Sequence, residues 1–216
     1  MTDPSDFIPP AWPLLVYFGM SIVSLPLYFF VFVSLLRLRC FSKAYNTTFY
    51  SILLQHCIAD LLAMFLFFTT NSARNAHFLR DFYFEYQHYY IAAASYNAIY
   101  YTLYIRCTGI VFLSVQRYLI ITHPTSVVTH KVQNASTLEI VIVYWSVPTL
   151  LSLVVLKDTD FSFDSVETMA IIADQSVIKR NTLMALIVVS TACLICSLAY
   201  GALFVFIRRH SASLSR

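Results

Sequence analysis

The sequence predicts an all-α membrane protein, a transmembrane bundle of five helical spans with its N-terminus outside the cell. Of its 216 residues, 59% are hydrophobic and only 12% are charged, which is about half the charged fraction of an average soluble domain. The apolar residues gather in blocks of about 20 residues, the length that a helix needs to cross a ~30 Å hydrocarbon core. Because backbone groups in lipid must be satisfied internally, and no short alternating segments suggest a barrel, these blocks are predicted helices.

Five blocks of this length divide the chain. The predicted spans are residues 13–36, 49–70, 92–122, 138–156 and 182–207, which together make a transmembrane bundle of residues 13–207. Residues 1–12 are predicted to be an extracellular N-terminus, and residues 208–216 a cytosolic tail. The connection from Lys157 to Arg180 is acidic and polar, and we expect it to be a surface loop.

Lysine and arginine are unevenly distributed between the connections. The segments that follow the first, third and fifth spans hold most of them, namely Arg37, Arg39, Lys43, Arg117, Lys131, Arg208, Arg209 and Arg216. The remaining segments are rich in aspartate and glutamate. Since positive charge stays in the cytosol, the N-terminus is predicted outside and the C-terminus inside, as an odd number of spans requires.

Two opposite charges lie deep inside the predicted spans. Asp60 in the second span and Arg106 in the third lie at a similar depth, roughly 16 Å from the cytosolic side at the helical rise. A charge at a helix centre costs ~2.5–3.5 kcal/mol on insertion scales. We therefore predict an internal Asp60–Arg106 ion pair that faces the bundle axis. In the alternatives, Arg106 extends towards the membrane surface or Asp60 is protonated.

The third span ends in Gln116-Arg117-Tyr118, and Pro124 follows. Arg117 lies at the inner boundary of the membrane, where an arginine costs little and where the distribution of positive charge alone would explain it. A specific role for Arg117, beyond the distribution of positive charge, is suggested by the residues around it. Pro124 follows at a fixed spacing, and the neighbouring span carries Asp60 deep in the membrane.

Several segments resemble rhodopsin-like seven-helix receptors. "SVQRYLIITHP" is similar to the end of their third helix, in which an Asp-Arg-Tyr motif leads to a proline. "CIADLLA" resembles their second-helix motif with its buried aspartate, and Trp145 with Pro148 fits their fourth helix. The whole chain, with "FYSILLQHCIADLL", most resembles the nematode serpentine chemoreceptors of the gamma-type superfamily, with the class V members closest.

This resemblance implies a chemosensory G-protein-coupled receptor in the plasma membrane of sensory cilia, where membrane lipid surrounds it. Gln116, Arg117 and Tyr118 would meet a heterotrimeric G protein. Gln116 replaces the family's acid and so cannot form an ion pair with Arg117, and Arg106 replaces a small polar residue, so no sodium site is expected. The chain ends before a sixth helix, which implies a fragment or a truncated form. Such a five-span product would either fold poorly or pair with another receptor chain.

A ladder of tyrosines follows the outer half of the third span. Tyr96, Tyr100 and Tyr104 are spaced four residues apart, with Asn97 and Tyr101 beside them. The ladder is explained equally by interhelical packing or by the wall of a pocket for a small, partly apolar ligand.

The sequence gives little indication of metal binding, cofactor binding or catalysis. His56 and Asp60 lie one turn apart, but no third ligand is near, so we expect no metal site. No cofactor and no nucleic-acid partner is expected, and an enzyme is not expected because no catalytic motif is present. The alternative function is that of a channel or transporter subunit in which Asp60 and Arg106 line an ion path.

Overall fold

Each apolar block of the sequence forms one long helix in the computed structural model, which describes residues 12–42, 45–72 and 77–214. The helices are α1 (Trp12–Phe41), α2 (Thr48–Phe67), α3 (His77–Glu85), α4 (Ala92–Thr122), α5 (Val127–Gln133), α6 (Thr137–Leu156) and α7 (Gln175–Leu214). Five segments are long and apolar enough to cross a membrane: Gly19–Phe41, Thr48–Thr70, Gln87–Thr122, Thr137–Leu156 and Gln175–His210. The protein is therefore an all-α, multi-pass membrane protein, which confirms the predicted fold class.

The helices extend beyond the apolar blocks that predict them. The first continues to Phe41, and α7 runs from Gln175 to Leu214, whereas the predicted spans were residues 13–36 and 182–207. Hydrogen bonds along a helix do not require lipid, and the added residues include neither proline nor glycine to end it. The predicted tail is thus helical to Leu214. Of the predicted N-terminal segment, residues 1–11 lie outside the described residues.

Wider π-helical turns occur where α2 ends and where α4 begins. The first covers Phe68–Ser72, and the second covers Gln87–Ile91. Within the second, Tyr90 adopts a φ of 68°, a left-handed conformation that is uncommon for a residue other than glycine. This residue bends the chain between α3 and α4, so that the tyrosine-rich segment does not simply extend α4.

Helix α4 lies at the centre of the bundle and packs against α2, α6 and α7, while α1 packs against α2. A buried cluster joins α2, α4 and α6, and its members are Ile52, Ala59, Ile105, Ile140 and Tyr144. Many large apolar side chains elsewhere on the helices are exposed, as lipid-facing surfaces require. The interior is therefore concentrated around α4, the helix that carries most of the predicted site residues.

Polar contacts fix the short α5 and the start of α6 beneath the bundle. Ser136 and Glu139 form a capping box, in which each side chain accepts a hydrogen bond from the backbone N–H of the other residue, at 3.2 and 2.7 Å. Thr48 Oγ1 donates to the carbonyl of Gln133 at 2.9 Å, which connects α2 to the end of α5. We call this side of the molecule, where α4 ends, the Arg117 end.

The connection between α6 and α7 folds back over the other end of the bundle as a short hairpin. Strand β1 (Ser162–Phe163) pairs antiparallel with β2 (Ile171–Ile172). Phe161, Phe163 and Met169 are buried here against the first residues of α4. The prediction of a polar surface loop was therefore wrong for these three side chains, because the acidic residues around them dominate the local composition. We call this side the hairpin end.

Candidate functional site

An ion pair joins α2 to α4 in the interior. Arg106 Nε lies 2.8 Å from Asp60 Oδ1, and the side chain of Asp60 is only 2% exposed. Such burial of a carboxylate requires a compensating charge or hydrogen bonds. The two residues that the sequence places at equal depth therefore meet. The side chain of Arg106 keeps 54% of its surface exposed, so the described part of the chain encloses the acid more fully than the base.

Two further side chains complete the surroundings of the Asp60 carboxylate. The hydroxyl of Tyr28 on α1 donates to Oδ2 at 3.0 Å. His56, one turn away on α2, places Nε2 3.7 Å from the same oxygen, and its Nδ1 lies 3.1 Å from the hydroxyl of the buried Tyr144 on α6. Asp60 is thus the centre of a polar network that reaches α1, α2, α4 and α6.

The network depends on a glycine in α4. Any Cβ at Gly109 would overlap the ring of His56 and the hydroxyl of Tyr144. The absence of a side chain lets α2 and α6 bring these groups against the α4 backbone, as small residues commonly do between membrane helices. No group of three His, Cys, Asp or Glu side chains with metal-binding geometry occurs in the described ranges.

The three residues predicted to meet a G protein point in different directions at the Arg117 end. Arg117 is exposed, and its guanidinium carbon lies 4.9 Å from the ring centroid of Phe49 on α2. The Tyr118 hydroxyl lies 3.3 Å from His123 Nε2, beyond the end of α4. Gln116 is 2% exposed and turns into the protein. The sequence motif therefore divides into an exposed part and a buried part.

The tyrosines of the predicted ladder do not all make the same kind of contact. The hydroxyls of Tyr96 and Tyr100 lie 3.2 Å apart, and the Tyr104 side chain is completely buried below them. The Tyr101 hydroxyl instead lies 3.5 Å from Thr149 Oγ1 on α6. Tyr96, Tyr100 and Tyr104 therefore share one face of α4, whereas Tyr101 belongs to a helix contact.

The hairpin covers this face at its outer end. The ring of Phe161 stacks on Tyr96 with centroids 4.4 Å apart, and the Phe163 N–H donates to Gln87 Oε1 at 2.6 Å. Asn97 Nδ2 donates to the Tyr90 hydroxyl at 3.1 Å and faces the Asp158 carbonyl at 3.4 Å. The hairpin end is thus an assembly of aromatic rings and amides above α4.

Three buried polar atoms of α4 and α7 have no hydrogen-bond partner among the residues described. They are Asn97 Oδ1, Tyr104 Oη and Asn181 Nδ2. Beside the last of these, Arg180 forms an ion pair with Asp158. Buried polar groups are nearly always paired, so each of these three atoms lacks the hydrogen bond that its burial requires.

Contacts near the hairpin end shift the pKa values of two groups outside the membrane spans. Burial raises the pKa of Tyr83, whose hydroxyl donates to the Thr69 carbonyl at 3.1 Å. Slight desolvation opposes the charge on the exposed Asp164, but hydrogen bonds from Thr168 and from the backbone N–H groups of Ser165 and Ala170 outweigh it and lower the pKa of that carboxyl.

Sequence reasoning missed Tyr28 and the role of Gly109 in the polar network. Tyr28 is one aromatic residue among many in an apolar span, so its composition gives no signal. Gly109 offers one, because only three glycines occur in the chain and a glycine inside a membrane helix indicates a close contact. The contact of His56 with Tyr144, at 3.1 Å, was not predicted from the sequence either.

Comparison with known proteins adds one match. Residues 17–216 match the sequence model of a family described as serpentine type 7TM GPCR chemoreceptor Srv. The match includes the Asp60 network, the Arg117 end and the hairpin end. No curated protein sequence is significantly similar to the chain.

Proposed function

The chain belongs to the serpentine type 7TM GPCR chemoreceptor family Srv, and from that membership we propose that it detects a small-molecule cue within its bundle and couples to a heterotrimeric G protein. The observation that carries this proposal is the family match over residues 17–216. The family is a class of receptors rather than enzymes. We place the chain in the gamma-type superfamily, class V, with its N-terminus outside, in the plasma membrane of sensory cilia.

Arg117 is the residue that we propose meets the G protein. It is exposed, and its contact with the Phe49 ring, at 4.9 Å, contributes only ~0.5–1 kcal/mol at an exposed site. Such a contact is readily exchanged for one with a partner protein. Gln116 is buried and uncharged, so no ion pair with its neighbour holds Arg117 in a resting position, and Tyr118 supports the same surface through His123.

The hairpin end is the proposed site for the cue. Support comes from the Tyr96–Tyr100 hydroxyl pair and from the three buried polar atoms without partners, on Asn97, Tyr104 and Asn181. Aromatic rings supply apolar contact area while these atoms supply hydrogen bonds, a combination typical of small-molecule sites. The cue would be a small, partly apolar molecule with one or two polar groups.

Signalling through Arg117 is tested with a matched pair of arginine substitutions. The chain would be expressed in cells that carry a promiscuous G protein and a calcium reporter, and challenged with a panel of small odorants. We expect Arg117→Ala to abolish the response, because no charge remains for the partner. Arg37→Ala is the control, since Arg37 also lies over an aromatic ring, with its guanidinium carbon 6.0 Å from the Phe41 centroid. A response that survives Arg117→Ala would contradict the proposal.

The ligand site is tested by removing single hydroxyl groups. We expect Tyr104→Phe to weaken the response by about tenfold, the equivalent of one good hydrogen bond. Tyr101→Phe is the control, because the Tyr101 hydroxyl faces Thr149 on α6. Equal effects of the two substitutions would mean that the tyrosines serve packing.

Surface labelling of an N-terminal tag on intact cells tests the proposed orientation, in which the N-terminus lies outside.

A second candidate function is an ion path, which one observation favours. The Arg106 side chain is 54% exposed beside a buried carboxylate, a combination that charged pathways in membrane proteins also use. Currents in planar bilayers that vanish with Asp60→Asn and are unchanged by Arg117→Ala would favour this function. A receptor would show the opposite pattern, with signalling lost through Arg117→Ala and no conductance.

A further inference from the structure

A cavity of about 580 Å³ lies at the Arg117 end, between α2, α4, α5 and α6. Its volume falls within the range of ~300–1,000 Å³ that is typical of small-molecule sites. Most of its wall is apolar, formed by Ile52, Phe112, Val115, Leu119, Ile140 and Val143. This cavity is distant from the hairpin end, where the chemical cue is proposed to bind, and nothing in the proposed signalling step requires it.

Gln116 supplies the polar feature of this cavity. Its side chain is 2% exposed, and among the described residues neither Nε2 nor Oε1 has a hydrogen-bond partner. Gln116 also lines a second cavity of about 380 Å³, next to Thr47, Phe49 and Gln133. A buried amide with both atoms unpaired is rare in proteins. Gln116 lines this apolar cavity, and its unpaired amide can bind a group that both donates and accepts a hydrogen bond.

The charges at the rim limit what the occupant can be. Lys131 and Glu139 both line the cavity, so their opposite charges favour neither an anion nor a cation. The Glu139 carboxylate is held in place by the N–H of Ser136 at 2.7 Å, where it would repel an anionic head group. A neutral molecule avoids that repulsion and loses less solvation on entry.

We propose that this cavity binds a neutral, hydroxyl-bearing amphiphile, such as a long-chain alcohol or a sterol. The hydroxyl donates to Gln116 Oε1 and accepts from Nε2, and the apolar body lies along the wall formed by α4 and α6. One hydroxyl satisfies both atoms, which an ether, an ester or a hydrocarbon cannot do. The occupant would brace α4 against α6 immediately before Arg117.

Photolabelling of the purified full-length chain tests this site directly, without a G protein. The probe is a long-chain alcohol that carries a diazirine and an alkyne, and its methyl ether serves as the matched probe that accepts but cannot donate. We expect the alcohol to label peptides from α4 and α6 about tenfold more strongly than the ether does. Equal labelling by the two probes would overturn the proposal, and so would stronger labelling by the corresponding carboxylic acid.

Substitutions distinguish the contribution of the Gln116 amide to labelling from that of the cavity volume. Gln116→Leu should reduce labelling by the alcohol about tenfold, to the level of the ether. Val143→Phe should reduce labelling by both probes, because it fills the space from α6. Thr108→Val is the control, since Thr108 is a buried polar residue on the same helix whose hydroxyl bonds to the Tyr104 carbonyl outside the cavity.

Thermal unfolding of the unliganded variants shows whether labelling is lost only because a variant is misfolded. Replacement of an unpaired buried amide by an apolar side chain of similar size is neutral or stabilising. Gln116→Leu should therefore melt no lower than the native chain while its labelling falls. A native level of labelling by a well-folded Gln116→Leu would show that the amide binds no ligand, and the inference would fail independently of G-protein coupling.

Discussion

The side chains of Arg106 and Asp60 meet inside the bundle, with Nε of the arginine 2.8 Å from Oδ1 of the aspartate. The contact joins α4 to α2, and the Tyr28 hydroxyl adds α1 from the other carboxylate oxygen at 3.0 Å. Because Asp60 is 2% exposed, its charge depends on these partners instead of on solvent. The ion pair and the Tyr28 hydrogen bond therefore fix the relative rotation of α1, α2 and α4.

Separation of this pair should destabilise the bundle. We expect Asp60→Asn or Arg106→Gln alone to lower the free energy of unfolding by about 1–3 kcal/mol, less than the ~3–5 kcal/mol for a fully buried pair, because Arg106 is half exposed. The double variant should be more stable than the sum of the single losses implies, since it leaves no unpaired charge. Unfolding of the four proteins in lipid nanodiscs measures the coupling energy.

Asp164→Asn is a convenient control for the same measurements, because it also removes a carboxylate but lies in the hairpin, far from Arg106. Its effect should add to that of Arg106→Gln, as is usual for separate sites. If Asp60→Asn and Arg106→Gln are equally additive, the two charges do not stabilise one another in the membrane.

The sequence specifies depth along a helix better than it specifies rotation about the helix axis. Asp60 and Arg106 were predicted to pair because their distances from the inner boundary match and because a charge in lipid requires a partner. Tyr28 could not be assigned in the same way, since α1 is apolar on every side and hydropathy does not indicate which face meets α2. The same limitation applies to Tyr101, which lies beside the tyrosine ladder in sequence but faces α6.

Local composition misled the prediction for the hairpin for a different reason. Phe161 and Phe163 stand among acidic and small polar residues, and the apolar run from Met169 to Ala173 is far shorter than a membrane span. Their burial depends on contacts with Ala92 and Ala93 at the start of α4, which are remote in sequence. Tertiary contacts of this kind do not appear in a local pattern.

Gly109 should tolerate no larger residue. A methyl group at this position would overlap His56 and Tyr144, and both side chains are held by the polar network. We expect Gly109→Ala to lower the free energy of unfolding by about 1–3 kcal/mol, the usual cost of overpacking. Thermal unfolding in detergent measures the loss.

Gly201 provides the matched control, because a Cβ there would meet nothing within 4 Å. Gly201→Ala should be neutral or stabilising by up to ~1 kcal/mol, since alanine is the better helix former. Equal melting temperatures for the two variants would show that α4 can shift away from α2 and α6 without cost.

Gln87 should determine whether the hairpin stays on α4. Its Oε1 accepts from the N–H of Phe163 at 2.6 Å, and Phe163 is buried, so loss of the acceptor leaves a buried donor unpaired. We expect Gln87→Ala to cost about 1–3 kcal/mol locally. Hydrogen–deuterium exchange of the backbone from residue 161 to residue 172 should become faster, while exchange in α2 is unchanged.

Glu85→Ala is the control for Gln87→Ala, since Glu85 is exposed two residues earlier in the same segment. Its exchange pattern should equal that of the native chain. An unchanged hairpin in Gln87→Ala would mean that the Phe161–Tyr96 stack alone holds β1 in place.

Acid should loosen the turn of the hairpin through Asp164. The side chain accepts hydrogen bonds from Thr168 and from the N–H groups of Ser165 and Ala170, and its pKa is lowered despite slight desolvation. A carboxyl whose folded-state pKa lies below its unfolded value of about 3.9 contributes stability above that value. The contribution is lost as the pH falls through the folded-state pKa, because protonation removes an acceptor of those bonds.

Pepsin cleavage of the hairpin in detergent follows this loss, because the protease is active in acid. At about pH 5, where the carboxylate is charged in both states, Asp164→Asn should be cleaved faster than the native chain. The ratio of the two rates should fall towards one below about pH 3.9, as the native aspartate becomes protonated. Asp160→Asn, an exposed substitution nearby, should be cleaved at the native rate throughout. A rate ratio for Asp164→Asn that does not change with pH would indicate that shape, and not charge, stabilises the turn.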